Sequence, residues 1–597
     1  MKTIRLLVLA VCCLSGISGR SLFAQAITPP HAPEIRAALS SGDEFFADTK
    51  FLLELAGPKG VKAWGGNEGL ENFLKLAVEG ADLAKPAIVD ILMASTGTET
   101  RVHIPLQVIP GKPLGEKFLR NIFTIGFKPQ KKLVANFYQI GGGAGAPVGN
   151  AAFNGFLRIL PAPINYASIA TKRESLPTSL ADPTKDKVAV ALLAKKFDFG
   201  LLLRNVKVDE ASIKARRADF QKVKDELIAG LKQLPEIKTE VFAVQKALLE
   251  HNLNELDRFI AESSELSLGW TTDAPKKEAR LDLELDAIPN SDLDTSAKLL
   301  GQAPGMFSGV PRSENAIFSG RIHFPLDGLR KAAAMGGVPL LRAKSNMRID
   351  DSKTDSAEQK AAMKVAVKLW YDILQDGANE GVIDGAIEVS QAVGEKANLV
   401  FGLKAKDGTA VKGILEQIPQ MDAAYKVQFD VEKAGDYAIH SITLPDNDED
   451  LELLFGKGTP VYVAAGPKAF WIAIGPKSLD PLKKAIEASG KPNEELANNF
   501  LTLFYRVGPL VELLDTRRAR LDAKPSDVKL PEAELKNKKD RAAHRKLALE
   551  VLKDGKDSVE TKLDAKNGHV SGSTRIEEGI LKFIGTEIAD FSNKTLK

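Results

Sequence analysis

Apolar and polar residues alternate along several short segments of the chain, and this period of two predicts β-strands. The segment "VYVAAGPKAFWIAIGP" (461–476) predicts a β-hairpin followed by a helix. A further hairpin is predicted over 558–576 with its turn at Asn567 and Gly568, because this dipeptide readily takes the positive φ angles of a tight turn. The predicted module is therefore an antiparallel hairpin that leads into a helix.

Pairs of segments with similar patterns suggest an internal duplication. In each pair a predicted strand or hairpin leads into a helical stretch. The pairs are 188–203, which like 461–476 is predicted to be a β-hairpin, with 461–476; 279–287 with 397–405; and "PLDGL" (325–329) with "PLVEL" (509–513). Any two amphipathic hairpins resemble each other, so duplication and independent occurrence of the module both stay open.

Apolar residues at helical spacing predict helices in the N-terminal part of the chain. Residues 67–81 fit one amphipathic helix, with Asn67 as its N-cap. Pro86 suits the first turn of a following helix. That second helix would carry the apolar residues Ile88, Ile91 and Leu92.

The pattern becomes strand-like over 101–140 and ends at a glycine-rich loop, 141–149. Residues 209–264 form the longest helical region, with Asp209 as a candidate N-cap. Pro235 interrupts this region, which predicts two antiparallel helices.

These elements predict an α+β fold with two similar assemblies. Each would be a twisted antiparallel β-sheet partly covered by amphipathic helices, since sheets with one apolar face must bury it. A polar stretch at 345–359 places the main boundary between domains at 27–345 and 346–597. A lesser boundary is expected near 176–187.

The N-terminus has the three parts of a secretory signal peptide. Lys2 and Arg5 precede an apolar run at 6–17, and Ala24 and Ala26 form a small-x-small cleavage site. We expect cleavage after Ala26 and export to the periplasm or the medium; a buried N-terminal helix is the alternative reading. The run is shorter than the roughly 20 residues of a bilayer span.

The amino-acid composition of the expected mature chain excludes several kinds of functional site. Both cysteines, Cys12 and Cys13, lie in the apolar run, so cleavage would leave no thiol for a disulfide, a zinc site or a nucleophile. A lipoprotein signal fits poorly, because no small residue precedes either cysteine. Without the basic residues of the signal, 78 Lys and Arg balance 78 Asp and Glu. No nucleic-acid partner and no further membrane span are expected.

Short motifs give weak chemical signals. Gly141, Gly143 and Ala146 match a dinucleotide-loop spacing, but Pro147 follows where a helix should begin. "GHVSG" (568–572) lacks the spacing of a serine nucleophile elbow. The seven histidines form no close metal-binding pair in sequence. We predict no catalytic residue and no cofactor.

Two charged segments are candidate binding sites. Asp446, Asp448 and Asp450 alternate as in a calcium loop, although the glycine and glutamate that complete an EF-hand are missing. Residues 516–556 carry thirteen Lys and Arg against seven Asp and Glu. Within this segment a helix is predicted over 535–553, and contact with an anionic envelope polymer or lipid surface is one hypothesis, a solvated face the other. The residues proposed for this contact are Lys538, Lys539 and Arg545.

Over most of 180–597 the chain resembles a loose class of uncharacterised exported bacterial proteins built of hairpin–helix modules with "LP" or "PL" strand exits. The resemblance implies neither an activity nor a site. The leading functional prediction is an exported non-catalytic binding protein, in which a sheet and a long amphipathic helix enclose an apolar groove for a lipid-like, hydrophobic small molecule. A structural or scaffold protein of the cell envelope, acting through contacts with an envelope protein, is the alternative, and a hydrolase is the least favoured.

Overall fold

The structure is a computed structural model. It describes residues 31–65, 69–94, 97–124, 127–134, 136–142, 154–177, 180–232, 238–392, 394–444, 449–523 and 532–595. The predicted signal peptide with Ala24 and Ala26, and most of the glycine-rich loop, lie outside these ranges. The fold is α+β with antiparallel sheet, as the sequence predicts.

The helices include long pairs that form helical hairpins. They are α1 Gly42–Leu55, α2 Pro58–Trp64, α3 Leu70–Ala77, α4 Glu116–Thr124, α5 Lys187–Ala194, α6 Glu210–Lys232, α7 Thr239–Glu262, α8 Asp292–Leu300, α9 Gly328–Asp351, α10 Ala357–Glu380, α11 Val411–Met421, α12 Glu449–Phe455, α13 Leu479–Ser489, α14 Val507–Ala523, α15 Glu532–Leu552 and α16 Glu578–Thr595.

The strands are mostly six to ten residues long. They are β1 Glu34–Leu39, β2 Ala87–Ala94, β3 Gly97–Pro105, β4 Phe127–Val134, β5 Phe137–Gly142, β6 Asn154–Leu160, β7 Tyr166–Ala170, β8 Phe199–Arg204, β9 Ser263–Asp273, β10 Glu278–Ala287, β11 Ala316–Pro325, β12 Val382–Ser390, β13 Asn398–Lys404, β14 Lys426–Ala434, β15 Tyr437–Thr443, β16 Pro460–Ala465, β17 Ala469–Ile474, β18 Asn499–Arg506, β19 Ser558–Lys566 and β20 His569–Ile576.

The chain forms two compact units that are not continuous in sequence. The first unit comprises the chain up to Asp219, Ile260–Asp286 and the chain from Arg575 onward. The second comprises Phe220–Phe259 and Ala287–Thr574. The boundary expected at 345–346 falls inside α9 and therefore within the second unit, and the expected break at 176–187 falls within the first. The polar residues at 345–359 form the end of α9, the connection to α10 and the start of α10.

Strand order is the same in the two units. From one edge to the other, the first ten strands follow the order β4-β5-β6-β7-β3-β2-β1-β8-β9-β10. The next ten follow β14-β15-β16-β17-β13-β12-β11-β18-β19-β20. The second order is the first with each number raised by ten. Helices α1–α3 and α9–α10 therefore occupy the same place, between the first two strands of each set.

Helices cover the sheet of the first unit at several points. Helix α5 packs Val188 and Leu192 against Ile88 of β2 and Leu202 of β8. Helix α16 packs against α1 and α2, with Gly585 so close to α1 that a Cβ there would lie 1.8 Å from the Leu52 carbonyl oxygen. A side chain at position 585 would thus force the two helices apart.

The second unit is built around buried aromatic residues. Trp471 on β17 is almost fully buried, and its ring centroid lies 5.1 Å from that of Phe307. Helix α13 closes this cluster with Leu482 and Ile486. On a separate buried cluster, Phe470 of the same strand meets Leu415 of α11. Alternate residues of β17 therefore serve two layers of the core, as the alternation in 461–476 predicts.

Several predicted elements are confirmed. The hairpin over 461–476 is β16–β17, followed by α13, and the hairpin over 558–576 is β19–β20. Its turn residues Asn567 and Gly568 have φ angles of 52° and 83°. Asp209 caps α6 by accepting a hydrogen bond from the Ser212 backbone N–H at 2.9 Å.

The helix predicted after Pro86 is wrong, because residues Ala87–Ala94 form strand β2. This strand lies between β1 and β3, so both of its edges are hydrogen bonded. The apolar residues Ile88, Ile91 and Leu92 are spaced as on a helix, but pairing with neighbours on both edges places them in a strand. The strand-like prediction over 101–140 likewise missed α4. Helix α3 begins at Leu70 with Gly69 as its N-cap, whereas the predicted N-cap Asn67 lies outside the described residues.

The hairpin predicted over 188–203 is also wrong. Its first half is helix α5 and its second half is β8. Asp186 accepts a hydrogen bond from the Val188 backbone N–H at 2.8 Å and so starts the helix, and Ala and Leu residues sustain it. Segment 188–203 therefore does not match the hairpin 461–476; by strand order the counterpart of β8 is β18.

Candidate functional site

Two helical hairpins occupy the same place in the two strand sets. Helices α6 and α7 connect β8 to β9, and helices α14 and α15 connect β18 to β19. We call the α14–α15 pair the basic hairpin, because it lies in the predicted basic segment 516–556. The predicted helix over 535–553 is confirmed as α15.

Helix α7 is held along helix α9 by ion pairs within the second unit. Near one end, Arg330 Nε donates to Glu255 Oε1 at 3.0 Å, and Arg258 lies 3.0 Å from Asp327. Near the other end, Lys238, which precedes α7, pairs with Asp351 at 2.5 Å. These contacts run in opposite directions along the two helices, so α7 and α9 are antiparallel. Val244, Leu253 and Arg258 of α7 are buried.

Most described side chains of α15 are exposed, whereas most of those of α7 are buried or half-buried; α7 nevertheless exposes Leu248 and Leu256. Leu514 and Leu521 of α14 are 56% and 48% exposed, and Leu535 of α15 is 44% exposed. Arg545 Nε donates to Asp515 Oδ1 at 3.0 Å, which ties α15 to α14. The hairpin therefore presents apolar and charged side chains together to solvent.

The three predicted contact residues take different positions on α15. Lys539 is exposed, whereas Lys538 and Arg545 are half-buried. Arg545 serves the hairpin itself through Asp515, so only part of its charge faces a partner. Arg517, Arg518 and Arg520 of α14 are exposed on the same hairpin and were not singled out by the sequence reasoning. Their signal was present in the charge count of 516–556.

The hairpin helices and their neighbours differ in charge. Helix α7 has five acidic and two basic residues, and helix α9, which it contacts, has five basic and two acidic residues. Helix α15 has the opposite sign to α7, with six basic and four acidic residues. Opposite charges on facing helices favour one pairing over another. The sign of α15 therefore suits an acidic helix and not α9.

A buried polar network lies in the centre of the first unit. Asp90 on β2 stands opposite Arg36 on β1 and Arg101 on β3. Arg36 Nε lies 2.8 Å from Asp90 Oδ1, and Arg101 Nε donates to Asp90 Oδ2 at 2.8 Å. Burial alone would raise the pKa of Asp90, but the hydrogen bond from His103 and the charges of both arginines outweigh it and hold the pKa below its usual range.

Ser168, His103 and Asp90 form a hydrogen-bonded row that resembles a hydrolytic triad. His103 Nε2 lies 3.0 Å from Asp90 Oδ2, and His103 Nδ1 lies 2.7 Å from Ser168 Oγ. Because a carboxylate only accepts, Nε2 donates to Asp90. Ser168 is 0% exposed, so no substrate reaches its hydroxyl. The row is suited to tying three strands together.

A cleft of about 280 Å³ lies on the α9–α10 pair. Its lining mixes apolar side chains such as Val338 with Arg342 and Asp372, which form an ion pair at 3.5 Å. Asn346 Oδ1 is buried there without a hydrogen-bond partner. The cleft is small and polar compared with pockets that hold lipid-like ligands, which typically span roughly 300–1,000 Å³ and are mostly apolar.

The predicted calcium residues receive no structural description. Asp446 and Asp448 lie outside the described residues, and the side chain of Asp450 is not described either. Within the described ranges, no group of three or more His, Cys, Asp or Glu side chains is arranged to hold a metal ion. "GHVSG" lies in the β19–β20 hairpin.

The fold thus defines an α+β protein that presents a basic, exposed helical hairpin. No family model, curated protein or solved structure matches the chain. In the part of the chain that the structure describes, no helix combines the length and apolar character that crossing a bilayer requires.

Proposed function

We propose that the protein is exported and acts in the cell envelope as a non-catalytic assembly protein, with the basic hairpin as its contact surface for an anionic partner. Export is supported by the sequence layout around Ala24 and Ala26. N-terminal sequencing of the exported protein should find Ile27 first. An intact Met1 would contradict export through this signal.

The main support for a binding role of the basic hairpin is the exposure of α14 and α15. Three leucines on these helices are exposed beside a local excess of Lys and Arg. Exposed apolar residues rimmed by charge are typical of protein contact sites. The matching hairpin α6–α7 buries part of its surface against a helix, which supports the view that this place in the fold serves helix binding.

The other two predicted functions receive less support. A lipid-like ligand needs an apolar groove, and the α9–α10 cleft has charged and amide side chains among its apolar ones. A hydrolase needs a reachable nucleophile, and the hydroxyl of the Ser168 row is fully buried. An assembly protein requires neither an apolar groove nor a reachable nucleophile.

We also infer that the chain arose by internal duplication. The identical order of ten strands in both sets supports this inference, as do matching places for α4 and α11, α5 and α13, and the two helical hairpins. The pairs of segments that suggested duplication in the sequence do not coincide with these matches. Duplicated folds commonly keep strand order while side chains diverge, because the backbone pairing sets the order.

Binding of the full-length exported protein to immobilised envelope extract tests the role of the basic hairpin. The double variant Lys538→Glu/Lys539→Glu should be retained about tenfold less than wild type, because it reverses two charges of the contact surface. Lys406→Glu/Lys426→Glu is the matched control, since both of its lysines are exposed in the second unit but lie outside the hairpin. Equal retention of both double variants would overturn the proposed function.

A further inference from the structure

We propose that the anionic partner of the basic hairpin is a second copy of this chain, which presents its helix α1. This inference rests on the proposed function, because it assigns the partner of the same surface. It predicts head-to-tail association, in which the hairpin of one copy binds α1 of the next.

Strand order identifies the place at which the partner helix should lie. Helix α9 follows β11 and precedes β12, and α1 follows β1 in the corresponding place before β2. Within the second unit, ion pairs near both ends hold α7 antiparallel to α9. By strand order, the equivalent position for the basic hairpin is beside α1. The outer face of α1 and the leucines of the hairpin are both exposed in a single chain, so we assign the partner helix to a second copy.

The charges of α9 and α1 indicate which of these helices the basic hairpin binds. Helix α9 has five basic and two acidic residues, so it repels a basic hairpin. Helix α1 exposes three acidic residues, Asp43, Glu44 and Glu54, and one basic residue, Lys50. Like charges across an interface suppress the wrong partner, while opposite charges favour the right one. The basic hairpin therefore suits α1 and not α9.

The face of α1 that a second copy would meet is open to solvent. Asp43, Ala47, Lys50 and Glu54 are exposed and lie three or four residues apart, so they share one side of the helix. The opposite side packs Leu53 against α2 and α16. On the basic hairpin, the exposed leucines add apolar area to the charge.

Head-to-tail contacts between different surfaces give either a closed ring or an open chain of copies. The contact would be electrostatic at its rim, so it should weaken as salt is added: the Debye length falls from about 8 Å at 0.15 M to about 3 Å at 1 M ionic strength. An assembly protein of the envelope would use such a contact to form larger arrays.

Sedimentation velocity of the full-length protein tests the inference, using one variant for each surface. Variant A is Lys538→Glu/Lys539→Glu in the hairpin, and variant B is Asp43→Lys/Glu54→Lys in α1. Wild type should form concentration-dependent oligomers at low salt, and A alone and B alone should each associate at least about tenfold more weakly. An equimolar mixture of A and B should recover oligomers, because each hairpin then meets an α1 of opposite charge.

Recovery of oligomers in the mixture of A and B would show that neither variant is misfolded. It would also test self-association separately from the proposed function. Circular dichroism should show unchanged helix content in A and B, and Asp43→Asn/Glu54→Lys, which keeps a positive charge on α1, replaces B if the lysine at position 43 disturbs the helix start. Wild type that remains monomeric, or a mixture of A and B that does, would overturn the inference. Loss of retention on envelope extract or on phosphatidylglycerol vesicles by A but not by B, without self-association, would leave the proposed function standing and assign a different anionic partner.

Discussion

The central strands of the two units carry different side chains although the strands follow the same order. In the first unit, Asp90 on β2 stands between two arginines on its neighbours. On the matching strand β12 of the second unit, the buried Asp384 pairs with an ionisable side chain, His323 on β11, at 3.0 Å. Further along β12, Ile387 stands between Gly320 and Phe401. Backbone pairing fixes the order of strands in both cases, so the partners of a buried carboxylate differ on the same sheet. The comparison teaches that strand order constrains the core side chains only loosely.

The helical hairpins α6–α7 and α14–α15 also occupy the same place in the strand order and carry different side chains. Helix α7 is acidic and mostly buried or half-buried, although Leu248 and Leu256 are exposed. Helix α15 is basic, and most of its described side chains are exposed. The hairpins therefore differ in charge and overall exposure, not in the presence of exposed leucines. The following changes test these differences.

Truncating the aromatic core of the second unit should have the largest effect. Trp471→Ala removes a ring that is 1% exposed and packs against Phe307. We expect a loss of about 3–5 kcal/mol in the free energy of unfolding of this unit. Urea-dependent hydrogen exchange of β13, β16 and β17 measures it. The half-buried Trp270 on β9 is the control: Trp270→Ala should cost less, and an equal cost would contradict the assignment of the core.

Breaking the ionic layer of the first unit should cost nearly as much. Asp90→Asn leaves the buried guanidinium of Arg101 and part of that of Arg36 without a carboxylate. Removing one partner of a buried ion pair typically costs about 3 kcal/mol or more. Hydrogen exchange of β1, β2 and β3 should rise, while that of the second unit stays unchanged. The exposed Glu174 gives the control Glu174→Gln, which should change stability by less than about 0.5 kcal/mol.

Overpacking the aromatic core should have an intermediate effect. In Gly402→Ala the new Cβ would lie 2.6 Å from ring carbons of Trp471 and 2.8 Å from Phe307. We expect a loss of about 1–3 kcal/mol, since a packed core accommodates an added methyl only by strain. Gly377→Ala on α10 is the control, because open space surrounds it and helix propensity favours alanine. Thermal melts of both variants measure the difference in stability. Equal melting temperatures would contradict the predicted clash at position 402.

The two units should respond to pH in opposite directions between about pH 5 and 8. In the first unit, burial and the neighbouring carboxylates of Asp198 and Glu44 raise the pKa of Asp48 to about 7. A raised carboxyl pKa means that the folded state holds the proton more tightly, so its stability falls as pH rises toward and through 7. In the second unit, burial lowers the pKa of His440, so stability there falls as pH drops below the ordinary histidine range.

Unfolding followed by hydrogen exchange at pH 5.5 and 8 measures both responses. Asp48→Asn should remove the loss in the first unit at pH 8, a gain of about 1 kcal/mol after allowance for the partial exposure of this carboxyl. His440→Gln should leave the first unit unaffected. A loss of stability in the first unit on acidification over this range would contradict the raised pKa.

The smallest expected effect concerns the basic hairpin. Arg545→Ala removes the tie to Asp515, which is partly exposed, and such pairs contribute less than about 1 kcal/mol. Hydrogen exchange near the middle of α15 should increase slightly, with no change elsewhere. The exposed Lys546→Ala is the matched control on the same helix. A global loss of stability would show that the hairpin is part of a core.

Local signals in the sequence predicted the elements whose residues act alone. The turn at Asn567 and Gly568 requires positive φ angles, and Asp209 needs only its own helix to cap. Prediction failed at Ala87–Ala94, where apolar spacing suggested a helix and pairing on both edges made a strand. It failed again at α5, where alternating Val and Ala residues hid a helix started by Asp186.

Some features of the candidate site could likewise be predicted from the sequence, and others could not. The charge excess of 516–556 was readable from the chain, and so was the helix that carries Lys538 and Lys539. The role of Arg545 in holding Asp515 was not, because the two residues lie on different helices. Nor did any sequence spacing join Asp90, His103 and Ser168, which three strands bring together.

The sequence by itself determined the α+β class, the hairpin–helix module and the basic segment, because alternation, turn residues and charge are properties of neighbouring positions. Tertiary structure alone decided that the ten-strand order occurs twice, that one hairpin is seated on a helix while the other is exposed, and which polar groups are buried. These features depend on contacts between residues far apart in the chain, and burial and pairing energies there override local preference.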